Sequence, residues 1–287
     1  MGTSRDAGAT SSNATQSGMF DETQTASTAP TPKDASTVIL VRDGRSGVEV
    51  FLVRRATGMA FAGGMTVFPG GGVDPSDGVA DVRWAGPPVS WWAERFGVEE
   101  PRAKALVCAA VRETFEECGV LLAGPTEDSV VASTAGYSEA RRQLESRELS
   151  FADFLARENL VMRTDLLRPW ANWITPVQEG HRYDTHFFVA VVPSGQNADG
   201  ETSEAAEVAW RTPAAAVDDW RDRRSVLLPP TWSQLAMLEQ FDDVDAILAA
   251  EPEISPILPE LRFVDGKPWV SFPGDAGYYG TGTLPWG

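Results

Sequence analysis

The stretch PRAKALVCAAVRETFEECG, residues 101–119, constrains the fold more than any other segment. Pro101 suits the first turn of a helix and Gly119 suits its C-terminal cap. Leu106, Ala109, Ala110, Val111 and Cys118 supply much of a buried surface, while Arg112, Glu113, Glu116 and Glu117 gather toward the other side. At 3.6 residues per turn the three glutamates share one face, and Arg112 pairs with Glu116 at i+4. Carboxylates crowded in this way repel one another unless something positive sits among them. Clustered oxygen donors of this kind suit Mg²⁺ or Mn²⁺. The competing reading is a solvated acidic face on an acidic protein.

Acidity is general along the chain. Its 41 Asp and Glu against 24 Lys and Arg give a net charge of −17, which argues against a nucleic-acid backbone as the main partner. An anionic small molecule is admissible where metal ions or a local arginine cluster receive it. Ten Trp and 43% hydrophobic residues allow a sizeable core within one large, elaborated domain. Cys108 and Cys118 lie on the same helix and cannot pair, so a reducing, cytoplasmic setting is expected. No apolar run reads as a signal peptide or a membrane span, so no membrane partner is expected.

Residues 1–36, poor in apolar side chains, read as a disordered tail. Ser36–Arg42 and Val48–Arg54 read as strands joined by the hairpin DGRSG. Met65–Phe68 reads as a short strand before a glycine-rich turn, and residues 72–100 as an irregular excursion. Further helices are expected over Tyr137–Arg147, Phe151–Asn159, Pro213–Trp220, Thr231–Gln240 and Val244–Ala250. Strands are expected over Tyr183–Pro193 and Glu207–Arg211, with WANWITP as a loop entry and residues 251–287 as an irregular arm on the surface. Strands and helices alternate without a regular βαβ period, which favours a mixed sheet with helices on both sides, an α+β fold with an α/β/α sandwich architecture.

The turn FPGGG brings backbone N–H groups near the acidic helix. Taken together, these residues resemble the Nudix hydrolase family. Its motif runs Gly, five residues, Glu, seven residues, then Arg-Glu-apolar-x-Glu-Glu-x-Gly-apolar. Arg112, Glu113, Glu116, Glu117, Gly119 and Val120 match the second half, with Thr114 in the apolar slot. Gly71 matches the first glycine, and Asp77 stands where the family has Glu. Here 34 residues separate Asp77 from Arg112, and Lys104 occupies the position the ordinary spacing gives to the acid. Either Asp77 returns to the helix or that acid is missing. Long members resembling peroxisomal coenzyme A diphosphatases carry such an insertion.

The resemblance implies a Nudix-like domain over about 37–250, with insertions at about 78–100 and 124–168. It implies Glu116 and Glu117 as main ligands of Mg²⁺ or Mn²⁺, Glu113 as a further ligand or base, and Arg112 orienting them. A distal acid would complete the site, with Glu204 and Glu207 as candidates or else plain surface charges. The coenzyme A members share a segment before the motif that Arg55, Ala56, Gly64 and Phe68-Pro69-Gly70-Gly71 match in spacing, with Ala60 where those members have Arg. Arg54 and Arg55 are candidates to receive phosphate beside Gly70 and Gly71, Arg55 being otherwise an edge-strand charge. RYDTHFFVAVVP and LLPPTWSQLAML also resemble the coenzyme A-type members. In the first, Asp184 reads either as functional or as satisfying local backbone. His181 and His186 have no metal-site spacing, and most Trp read as core.

The implied activity is metal-assisted hydrolysis of a nucleoside diphosphate linked to another moiety, coenzyme A or an acyl-CoA. The rivals are another nucleotide diphosphate (a dinucleotide, a nucleotide sugar or a nucleoside triphosphate) and a non-catalytic nucleotide-sensing module. The reading allows a homodimer.

Overall fold

The computed structural model describes residues 29–58, 62–79, 81–202, 205–264 and 267–279. The chain runs through β1 (Lys33–Gly44), β2 (Gly47–Arg55), β3 (Thr66–Val67), β4 (Gly70–Gly72), α1 (Pro75–Val79), β5 (Trp84–Ala85), α2 (Val89–Phe96) and α3 (Glu100–Cys118). It continues through β6 (Ala123–Gly124), α4 (Ser138–Glu145), α5 (Phe151–Arg157), β7 (Val161–Arg163), β8 (Leu167–Ile174), β9 (Tyr183–Val191) and β10 (Ala205–Arg211). It closes with α6 (Pro213–Arg221), α7 (Pro229–Leu238), α8 (Val244–Ala249), β11 (Pro256–Ile257), β12 (Glu260–Val264), β13 (Lys267–Ser271) and α9 (Asp275–Tyr279).

The main sheet is mixed. Its order is β10-β2-β1-β9-β8-β11, with β3 on β2 and β4 on β1. β1 and β2 form the expected hairpin, antiparallel from Val41↔Val50 to Gly44↔Gly47. β1 then runs parallel to β9, from Lys33↔Tyr183 to Val41↔Val191. Successive side chains of a strand face opposite ways, and β1 divides accordingly. Val38 and Leu40 join one core with Leu106, Val107, Phe115 and Phe188. Ile39 and Val41 join another with Trp220, Trp232 and Leu235. Helices therefore cover both faces, as the expected α/β/α sandwich requires.

WANWITP is mostly strand. β8 pairs with β9 through an irregular register between Pro169 and Ala171, where a proline without an N–H is tolerated. Trp170 and Trp173 sink into the second core, so burial on both sides overrides the loop-like composition. Residues 72–100 are also more regular than expected. They hold α1, β5 and α2, and fully buried Trp92 sits 5.8 Å from both the Phe96 and the Phe188 ring centroids. A fully buried large side chain contributes roughly 1.5–3 kcal/mol, enough to fix such a segment on the core.

Among the described residues the expected irregular arm adds β11 to the main sheet beside β8, then the antiparallel pair β12–β13 and α9, while residues 280–287 lie outside the described residues. Tyr278 is fully buried, stacks on Trp220 at 4.8 Å and donates its hydroxyl to the Leu227 carbonyl at 2.9 Å. At the other end, β1 begins at Lys33, with Ala35 and Ser36 already buried. The first 28 residues of the expected tail lie outside the described residues.

Candidate active site

α3 starts with Pro in its first turn and ends at Gly119, whose N–H donates to the Phe115 carbonyl. Its buried residues Leu106, Val107, Ala110 and Val111 press on the sheet, which aims the glutamates along β4. Two glycines make that approach possible. A β-carbon at Gly70 would lie 2.3 Å from the Ser36 carbonyl oxygen, and one at Gly71 would lie 2.6 Å from the Glu113 carboxylate. Gly71→Ala is therefore expected to push Glu113 off its partner. Stability should fall by about 1–3 kcal/mol, measured by urea denaturation. Any activity should fall more than stability explains.

Arg112 is the hub. Its Nε and Nη2 donate to the two carboxylate oxygens of Asp77, both at 3.0 Å. Nη1 donates to Glu113 Oε1 at 2.7 Å and to Glu116 Oε1 at 3.3 Å, and Nη2 also donates to the Gly72 carbonyl at 2.9 Å. Asp77 accepts a further bond from the Asp74 N–H at 2.8 Å. The acid thus returns to the helix across the whole insertion, because α1 docks on α3. Glu117 takes a different partner, accepting from the Gly70 N–H at 2.8 Å.

Burial pushes the Glu113 carboxyl up to about 7, against the pull of Arg112. Glu116 is raised for the same first reason, with the charges of Asp77 and Glu145 adding. Burial would lower the Arg112 guanidinium, but Glu113, Asp77 and Glu116 outweigh it and hold it further in its charged form. One positive charge therefore sits among the crowded carboxylates.

These groups form one wall of a cavity of about 740 Å³, within the usual range for small-molecule sites. Gly70, Gly71, Glu113, Glu116 and Glu117 line it, as does Arg55. Apolar side chains line it too, among them Trp173, Phe187, Pro229, Pro259 and Val270. Glu145 also lines the cavity and accepts from the Thr202 hydroxyl at 3.2 Å. Nothing local in RRQLESRE marks it. It arrives because Arg141 fastens α4 to α3, donating to the Glu116 carbonyl at 2.9 Å and to Asp199 at 2.7 Å.

Other expected residues stand elsewhere. β10 pairs with β2 so that Glu207 faces Arg54. Their side chains bond at 2.6 Å on the exposed surface, and neither is among the cavity-lining residues. Glu204 and Ala60 lie outside the described residues. Asp184 pairs with Arg102 at 2.7 Å and accepts from Asn172 at 2.6 Å. His186 is buried against Phe96, and burial lowers its pKa to about 4. Among the described residues, no three Asp, Glu, His or Cys side chains form a ready-made metal cage.

A mixed sheet sandwiched by helices, with an arginine-centred carboxylate helix beside a glycine strand, defines a Nudix domain. The family model described as the NUDT19 Nudix domain matches residues 92–238, just over half of the chain, and the chain belongs to that family. The matched span holds α3 but not β4 or Asp77. The acyl-coenzyme A diphosphatase NUDT19 of Xenopus laevis is 25% identical over 241 residues, 72% of this chain and 63% of that protein. The chicken protein of the same name (Gallus gallus) is 26% identical over 244 residues, 70% of this chain and 64% of the relative. The chain thus spans a little under two thirds of the length of these curated relatives. A crystal structure of a NUDIX hydrolase from Alicyclobacillus acidocaldarius is 25% identical, with a TM-score of 0.65, and the match covers 78% of this chain and 98% of that one.

Proposed function

We propose that the chain hydrolyses the diphosphate of a nucleoside-diphosphate-linked substrate, coenzyme A or an acyl-CoA. The observation that carries this is the Arg112 hub, which holds Asp77, Glu113 and Glu116 together beside the glycine strand of a cavity. Water attacks one phosphorus, the bond from that phosphorus to the bridging oxygen breaks, and each product leaves with one phosphate. Apolar lining residues such as Trp173, Phe187 and Val270, together with the names of the NUDT19 relatives, support an acyl-bearing or pantetheine-bearing substrate.

Glu113, Glu116 and Glu117 offer only oxygen donors, which suits Mg²⁺ or Mn²⁺. Mg²⁺ in particular is commonly held by one or two carboxylates together with substrate phosphates, so a complete protein cage is not required. When bound, such an ion neutralises phosphate charge and acidifies water. Glu116 and Glu117 are the main donors in this reading, and Glu113 is a further donor or base. Arg112 orients Glu113 and Glu116, and Gly70 orients Glu117 through its N–H. Free, buried Cys108 and Cys118 support a reducing, cytoplasmic setting. Among the described residues no helix is long and apolar enough to cross a membrane.

The test is incubation with coenzyme A, an acyl-CoA, a dinucleotide and a nucleotide sugar, with Mg²⁺ or Mn²⁺, followed by product mass. Appearance of 3′,5′-ADP with phosphopantetheine, or its acyl form, is expected. Cleavage of only the other substrates would reject the coenzyme A reading, and cleavage of none would reject the enzymatic one.

A further inference from the structure

Four cationic side chains line the cavity among the described residues: Lys33, Arg55, Arg112 and Arg147. The hub has spent Arg112 on Asp77, Glu113, Glu116 and the Gly72 carbonyl, and Arg55 is engaged with other protein groups. Arg147 differs from both. Its guanidinium has no ion pair or hydrogen bond among the described residues, although the protein carries a net charge of −17. It is exposed, so it stands where the cavity meets solvent. It faces the turn after β4, where its charge and that of Arg112 add to the Ser76 bonds that hold the Asp74 carboxyl below its ordinary range.

Its backbone is costly. Arg147 closes α4 in the left-handed region, φ 61°. Its N–H donates to the Leu144 carbonyl, and the Glu148 N–H donates to the Gln143 carbonyl. This is the helix-ending motif in which glycine is the usual residue, and a long side chain is strained there. A glycine would relieve that strain and remove the guanidinium from the cavity.

We propose that Arg147 is a substrate-recognition residue whose guanidinium receives a phosphate of the substrate at the cavity mouth. The proposal rests on the diphosphatase reading. The planar fork of arginine suits phosphate oxygens, and in a cavity lined by seven carboxylates a guanidinium bonded to none of them is what an anion needs. The phosphate is either the scissile diphosphate or a terminal monoester carried elsewhere on the substrate.

The structure supplies a matched control. α6 ends in the same motif at Arg223, φ 63°, with its N–H on the Trp220 carbonyl and the Arg224 N–H on the Asp219 carbonyl. Arg223 is exposed and is not among the cavity-lining residues. Arg147→Gly and Arg223→Gly should both melt at or above the parent temperature. Only Arg147→Gly should raise KM, by about tenfold or more, with kcat little changed, and Arg147→Lys should recover part of the loss. A rise confined to coenzyme A and absent for dephospho-coenzyme A assigns the terminal monoester, and an equal rise on both assigns the diphosphate. KM unchanged on both substrates overturns the proposal, as does a melting point for Arg147→Gly well below that of Arg223→Gly. If the parent cleaves neither substrate, the diphosphatase reading fails. Calorimetric binding of coenzyme A then decides this inference, with weaker binding to Arg147→Gly than to Arg223→Gly supporting it and equal binding overturning it.

Discussion

Asp77→Ala is expected to cost about 3 kcal/mol of stability, the lower end of the range for breaking a buried pair. The Arg112 and Asp77 side chains are 10% and 2% exposed, so little water is available to replace the lost carboxylate. Glu113, Glu116 and the Gly72 carbonyl remain on the guanidinium, which keeps the cost from being larger. Asp77→Asn keeps an acceptor and loses the charge, so it should cost less, about 1–3 kcal/mol. Urea denaturation of the two variants beside the parent gives both numbers. Equal stability of parent and Asp77→Ala would mean that Asp77 does not hold Arg112. Pairing Asp77→Leu with Arg112→Met replaces the charged pair with apolar groups. Stability should not return, because Glu113, Glu116 and the Gly72 carbonyl have then lost their donor, and activity should stay lost because no cation orders the two glutamates.

Glu116→Gln and Glu117→Gln should each lower kcat by at least about 100-fold, since even outer-shell partners of metal ligands cost 10- to 100-fold. Neither change should unfold the protein. Glutamine keeps an oxygen for the Gly70 N–H at position 117 and for Arg112 at position 116. At 116 it also removes a charge that burial and its acidic neighbours already disfavour, so the melting point should hold or rise. Steady-state rates with saturating Mg²⁺, set beside thermal melts, separate the two effects. Near-parental turnover in either variant would remove that carboxylate from the chemistry.

The acidic helix was legible because its information is local. Periodicity, a proline near the start and a glycine at the end suffice to place Arg112, Glu113, Glu116 and Glu117 on one side. The tie between Asp77 and Arg112 was legible only as one of two alternatives, since spacing says nothing about whether a long excursion folds back. Trp92 helps anchor the excursion by burying itself beside Phe96 and Phe188, and a Gly/Pro-rich segment with three tryptophans does not announce which of them sinks into the core. β8 is hard to read from the sequence because Pro169 and two tryptophans imitate a loop until a second layer covers them. Glu145 was unreadable for a different reason. Its place in the cavity depends on Arg141 reaching the end of α3, a contact between segments with no shared pattern. Glu207 shows the converse, because its strand register hands it to Arg54.

The 34 residues between Asp77 and Arg112 also bear on the entropy of assembling the hub. Closing a loop of that length in place of one of about seven residues is rather more than two doublings, which adds only about 1.4 kcal/mol. The buried side chain of Trp92 offsets an amount of that order by itself. Lengthening this part of the chain is therefore nearly neutral for the equilibrium between open and closed hub, provided the added segment brings its own apolar anchor. A loop of equal length built only of Gly and Ser would leave the Asp77–Arg112 pair to meet that closure cost alone.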